Sequence, residues 1–128
     1  MIVVDVNIII HLFISGSHSK KARALYNSDP YWHVPDLWIH EMTNVISTYV
    51  KHGGMDMSDA KKILNNAFEY FGENTYTIPS QDVLALSVEY KISGYDATYI
   101  ALAAANGVPL VTIDKKLVAK VPDLTKML

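Results

Sequence analysis

Four acidic residues stand at places where a carboxylate needs an explanation: Asp5, Glu41, Asp96 and Asp114. Asp5 interrupts Ile2-Val3-Val4-Asp5-Val6, a run in which every neighbour favours burial. Burying an unpaired carboxylate is expensive, so Asp5 must bind a cation or partner, or cap the turn that follows a strand. Glu41 lies in a helical stretch whose apolar stripe is Trp38, Met42, Val45, Ile46 and Tyr49. At roughly 100° per residue it falls about 80° from the centre of that stripe, with Asn44 and Thr48 on its own face. It is either a solvated helix glutamate or a side chain reaching from the edge of the core into a cleft. Asp96 opens an Ala-rich helix and, with Ser93 three residues earlier, has the spacing of a capping box. Asp114 follows Val111-Thr112-Ile113 and is placed to cap a short helix at Lys115. Thr112 alternates with two apolar neighbours, so its hydroxyl can meet a carboxylate or a water, or bond within the strand.

Each acid has an ordinary reading. Together they suggest a different chemistry. Several carboxylates at one rim cannot all ionise in an empty cleft without some pKa values rising. A divalent cation removes that conflict, and an all-oxygen donor set suits Mg²⁺ or Mn²⁺. Such sites activate water and shield charge in phosphodiester hydrolysis.

The elements that would position these acids are legible from pattern and turn signals. Ile2-Val3-Val4 and Pro109–Ile113 read as buried strands, Trp32–Val34 and Thr75–Ile78 as shorter ones, and the C-terminal tail as a small edge strand. Helices are expected from a cap at Asn7 to Phe13, over 18–27, over 37–51 capped by Asp36, from Ser58 to Phe71, from Ser80 to about Lys91, over 96–105, and from Lys115 to Ala119. Strands alternating with helices predict one three-layer α/β/α domain over 1–128, Rossmann-like, with a mostly parallel central sheet. In such sheets ligands sit beyond the carboxyl ends of the strands, which is where Asp5 and Asp114 fall.

Composition narrows the possibilities further. The chain has 128 residues, half of them hydrophobic, and no cysteine, so disulfides and thiolate metal sites are excluded. Apolar runs of about ten residues fall short of the ~20 that a spanning helix needs, and no targeting segment is evident. The expectation is a soluble, cytoplasmic protein with no membrane association. With 13 Asp+Glu against 11 Lys+Arg, the formal charge is −2. A nucleic-acid ligand would therefore have to be met by local basic patches or bound metal. The histidines His11, His18, His33, His40 and His52 lack paired zinc-ligand spacing and read as surface or core residues.

The ordered set Ile2-Val3-Val4-Asp5-Val6-Asn7, Glu41-Met42-Thr43-Asn44, Tyr95-Asp96-Ala97-Thr98-Tyr99-Ile100-Ala101-Leu102-Ala103 and Leu110-Val111-Thr112-Ile113-Asp114 resembles the PIN-domain family, and within it the VapC-type toxin ribonucleases. The likeness spans nearly the whole chain. It implies endonucleolytic cleavage of RNA with Mg²⁺ or Mn²⁺ held by Asp5, Glu41, Asp96 and Asp114. Asn7 matches the family's polar helper after the first acid, and Thr112 its hydroxyl before the last. Val6 departs from the Thr or Ser often found there, which removes a hydroxyl but no metal ligand. The resemblance further implies a homodimer and a cognate antitoxin protein as partner. Lys115 and Lys116, beside Asp114, are candidate contacts to RNA phosphates, against the alternative of a solvated helix face. Lys20, Lys21 and Arg23 read more simply as such a face. Tyr95, Tyr99, Trp32 and Trp38 read as core packing rather than base stacking. Two other functions compete: a housekeeping RNA-processing nuclease, and a PIN-like module that has lost activity. A haloacid-dehalogenase-like phosphatase would need an acid where Asn7 stands.

Overall fold

A computed structural model describes all residues, 1–128. Five strands form one sheet: β1 (Ile2–Val4), β2 (Trp32–Pro35), β3 (Thr75–Tyr76), β4 (Leu110–Thr112) and β5 (Thr125–Met127). Their spatial order is β3-β2-β1-β4-β5 and every pair is parallel. The α/β class and parallel sheet are as the sequence predicts, with no antiparallel edge. Seven helices connect the strands: α1 (Val6–Phe13), α2 (Ser19–Ser28), α3 (Leu37–His52), α4 (Met57–Phe71), α5 (Ser80–Tyr90), α6 (Gly94–Asn106) and α7 (Lys115–Lys120).

The winding explains where a site can form. The chain steps outward from β1 to β2 to β3, then returns to the other side of β1 for β4 and β5. The reversal therefore lies between β1 and β4, whose register pairs Val3 with Leu110 and Val4 with Val111. Adjacent connections leave in opposite directions at such a point and open a crevice beyond the strand ends. Asp5 and Asp114 follow those two strands.

Val3, Val4, Leu110 and Trp32 are all inaccessible, and alternate residues of a strand face opposite sides, so the sheet is covered on both faces. Against it pack Ile8 and Ile9 of α1, Trp38 and Met42 of α3, Phe71 of α4 and Ile100 of α6. Trp32 and Phe71 stack at 5.6 Å, and the Trp38 indole donates to Thr75 Oγ1 at 2.9 Å. Helix α6 keeps Ala97, Ala101 and Ala103 buried, so small side chains bring its backbone close to the sheet. It ends at Gly107, whose φ of +63° is the left-handed conformation that stops a helix and favours glycine.

Several local expectations change. Asn7 does not cap α1; Asp5 does, its Oδ1 accepting from the Ile8 N–H at 3.3 Å. Asp36 precedes α3 without capping it, because its carboxylate accepts from the Thr77 hydroxyl at 3.1 Å. Pro79 rather than Ser80 occupies the cap position of α5. Strand β3 stops at Tyr76, since the chain turns towards Pro79. Tyr49, expected in the apolar stripe of α3, is exposed, while Val50 of the same last turn packs against the core in its place. No helix is long and apolar enough to cross a membrane.

Candidate metal centre

Asp5 sits in the crevice at the β1–β4 reversal. Its backbone N–H reaches the Val111 carbonyl at 3.4 Å, continuing the β1–β4 ladder one step beyond the strand. Its Oδ2 accepts a hydrogen bond from the hydroxyl of Thr112, a fully buried residue at the end of β4. The Thr112 oxygen in turn accepts from the Asp114 N–H at 3.0 Å. One hydroxyl thus ties the turn after β4 to the acid after β1. Burial pushes the Asp5 carboxyl up to about 6, although the bonds from Thr112, Ile8 and Asn7 partly oppose the shift; the charge of Asp96 adds to it.

Asp96 is the common neighbour of the other three acids. It lies in the first turn of α6, where the Ser93 hydroxyl caps the helix by accepting from the Asp96 N–H at 3.0 Å. Burial first, and the charge of Asp114 second, raise its pKa. The negative charge of Asp96 also raises Glu41 and Asp5. Glu41 reaches in from α3, half-buried, and its Oε1 accepts from the Tyr99 hydroxyl of α6 at 2.7 Å. Its carboxyl is raised mainly by burial, while Tyr99 pulls in the opposite direction. Tyr99 is itself buried among carboxylates, so its phenol is pushed far above the usual range and remains a donor.

Asp114 is exposed and caps α7 as well: its Oδ1 accepts from the Lys116 and Leu117 N–H groups at 3.0 and 3.1 Å, leaving Oδ2 unbonded. Lys115 and Lys116 flank it in the open. Asn7 is exposed and its side chain takes no part in the network.

The four acids therefore share one electrostatic neighbourhood, and none forms an ion pair; the one ion pair in the structure joins the N-terminal amine to Asp29. No three of them form a ready-made ligand cage. Three of the four already have side-chain oxygens engaged, with Thr112 and Ile8, with Tyr99, and with the α7 backbone. This open set still fits a small hard cation. Mg²⁺ keeps several waters and needs only one or two carboxylates, and every donor here is oxygen. The carboxyls of Asp5, Glu41 and Asp96 are raised mainly by burial, with acid–acid repulsion adding to it.

A family model described as "PIN domain" matches residues 2–123. The chain belongs to the PIN domain family. This PIN domain is 29% identical over 126 residues to Ribonuclease VapC3 of Pyrobaculum aerophilum, covering 96% of each chain. A crystal structure of another protein from P. aerophilum superposes with a TM-score of 0.75 at 25% identity, over 98% of this chain and 88% of that one. A toxin-antitoxin complex from Klebsiella pneumoniae contains a chain of the same fold, with a TM-score of 0.73 at 24% identity, over 98% and 96% of the two chains.

Two residues of the site escape a reading from sequence alone. Tyr99 was expected in the core, and its ring is there, but its hydroxyl anchors Glu41. A tyrosine among the alanines of a buried helix face is the signal, because its hydroxyl must find a partner. Lys120, at the end of α7, donates to the Lys91 carbonyl at 3.0 Å, and its charge lowers the pKa of Asp96. It is the lysine whose charge bears on Asp96.

Proposed function

We propose that this PIN domain is a Mg²⁺- or Mn²⁺-dependent endoribonuclease of the VapC toxin kind, acting in the cytoplasm as a homodimer and restrained by a small antitoxin protein. The observation that carries the reading is Asp5: a carboxylate at the topological reversal of a parallel sheet, held by Thr112, beside Asp96, with no cation paired to it. The similarity to a protein named a ribonuclease supports RNA as substrate, and the fold shared with a toxin-antitoxin complex accords with an antitoxin partner.

Asp5 and Asp96 would hold the cation directly, with Glu41 and the free Oδ2 of Asp114 reaching it through water. Bound there, it would supply Lewis-acid charge at the phosphate and make a water more acidic. The chain's own residues do the positioning. Thr112 orients the Asp5 carboxylate, and Tyr99 fixes the rotamer of Glu41. Asp5, at about 6, is mainly ionised at neutral pH and ready to ligate. Lys115 and Lys116 stand beside Asp114 where they can meet RNA phosphates, and the Asn7 backbone N–H supports the Asp5 carboxylate.

The test is cleavage of defined RNAs by purified protein, parent beside Asp5→Asn and Asp96→Asn, with Mn²⁺ or with EDTA. Cleavage by the parent with Mn²⁺, and its loss in both variants and in EDTA, is expected. Undiminished cleavage by the variants would remove Asp5 and Asp96 from the mechanism, and full activity in EDTA would remove the metal.

A further inference from the structure

Tyr95 does not pack in the core. It is 68% exposed at the start of α6, immediately before Asp96. An aromatic ring that solvates most of its surface beside a catalytic acid gains little for folding. It forms one wall of a groove of about 490 Å³ whose other walls include Asp36, Leu37, His40, Ile78 and Val83. This groove opens beyond the carboxyl ends of β2 and β3, because Asp36 follows β2 and Ile78 lies just past β3. Its residues His40 and Tyr95 immediately precede Glu41 and Asp96 on the same two helices, so the groove begins one residue, about 100° of helix rotation, from two of the acids.

Resting on the ribonuclease reading above, we infer that this groove is a nucleobase subsite, in which Tyr95 stacks on one unpaired base next to the scissile phosphate and Asp36 accepts from that base's exocyclic amino group. Three observations select a base over other occupants. The volume is within the range of small-ligand clefts. The lining mixes an exposed aromatic face and aliphatic side chains with a few polar groups, which suits a flat heteroaromatic ring. The Asp36 carboxylate is paired with no cation, so it disfavours a phosphate but not a neutral base. Asp36 is free to do this because it does not cap α3; the Thr77 hydroxyl holds one of its oxygens and leaves the other available. An acceptor-only oxygen suits the exocyclic amino group of adenine, cytosine or guanine, whereas uracil has only its ring N3–H to offer and must present a different edge.

The experiment measures binding of short RNAs by fluorescence anisotropy in EDTA, where no cleavage is expected, for the parent, Tyr95→Ala, Tyr95→Phe and Asp36→Asn. A series carrying one abasic residue at each position is included. Tyr95→Ala should weaken binding about 5- to 100-fold, the loss of one base–aromatic stack, while Tyr95→Phe stays within about twofold of the parent. One abasic position should erase the difference between Tyr95→Ala and parent. Asp36→Asn should narrow the preference against uracil at that same position. Unchanged affinity of Tyr95→Ala in a parent that binds and cleaves RNA would overturn the subsite and leave the nuclease reading standing. A parent that neither binds nor cleaves any RNA would overturn both. An altered oligomeric state of Tyr95→Ala in sedimentation, with RNA affinity unchanged, would assign the groove to a protein contact instead.

Discussion

Replacing Asp5 by Asn should stabilise the metal-free protein at neutral pH, even though it removes the proposed principal ligand. The carboxyl moves from its ordinary 3.8 to about 6 on folding. At about 1.4 kcal/mol per tenfold change, the folded anion is disfavoured by at most about 3 kcal/mol, and water at the partly open rim reduces that figure. Because the folded pKa is the higher one, the folded state binds more protons between about pH 4 and pH 6. This group's contribution is therefore most favourable below about pH 4, declines as pH rises through that window, and is flat above it. Asn carries no charge to desolvate, yet its carbonyl oxygen can still accept from Ile8 N–H or the Thr112 hydroxyl, and Asn is a good helix cap. Asp5→Asn should thus match the parent near pH 3.5 and exceed it by about 1 to 3 kcal/mol at pH 7.5. At about 4 °C per kcal/mol for a chain of this size, Tm rises by roughly 4 to 12 °C. Circular-dichroism melts in EDTA at several pH values read the difference directly. Adding Mn²⁺ should then raise the parent and not the variant, closing the gap by mass action. A variant less stable than the parent by the same amount at every pH would refute this reasoning. It would make Asp5 a structural cap whose charge supports the fold.

Two further substitutions probe the groups that hold the acids. Tyr99→Phe keeps the buried ring but leaves Glu41 without its donor; a hydrogen bond to a charged group contributes about 1.5–3 kcal/mol, so cleavage should fall about 10- to 100-fold. The Glu41 pKa should rise further, moving the acid limb of the pH–rate profile to higher pH, and an unshifted profile with full activity would deny Tyr99 a positioning role. Thr112→Val preserves buried shape but strands the Asp114 N–H and removes the donor to Asp5. Urea melts should show a loss of about 1–3 kcal/mol, restored by Thr112→Ser, and equal stability of Thr112→Val and parent would count against the hydroxyl bridge.

Much of this architecture is written locally. The buried strands Ile2–Val4 and Leu110–Thr112 announce themselves by apolar residues on both faces, and Gly107 marks the end of α6. The parallel order follows from strand–helix alternation. What local pattern could not supply was the choice among competing partners. Asp36 has every attribute of a cap, yet Thr77, forty-one residues away in sequence, takes its carboxylate. Asn7 and Asp5 were both eligible to start α1, and the strand's end decided for Asp5. For Asp5, Asp96 and Asp114 the ordinary reading and the catalytic one proved compatible. Each stands at a helix start, two of them capping with one oxygen, and Asp96 is within electrostatic reach of both others. Helical spacing put Tyr99 on the buried face correctly, but only the tertiary fold could bring Glu41 to its hydroxyl. The same spacing put Tyr95 in the core, where the structure does not; it lies in the first turn of α6, ahead of the packed segment.

The hydrogen bond from Thr112 to Asp5 joins residues 107 apart. During synthesis the first acid leaves the ribosome long before the strand that orients it. The half of the sheet already made, β1 with β2 and β3, can pair and fold while the crevice beside β1 still lacks its second wall. A nascent chain interrupted between α6 and β4 would carry Asp5, Glu41 and Asp96 but no Thr112 to aim the first of them. The acid cluster is thereby completed only in the last stretch of translation, once β4 has been made.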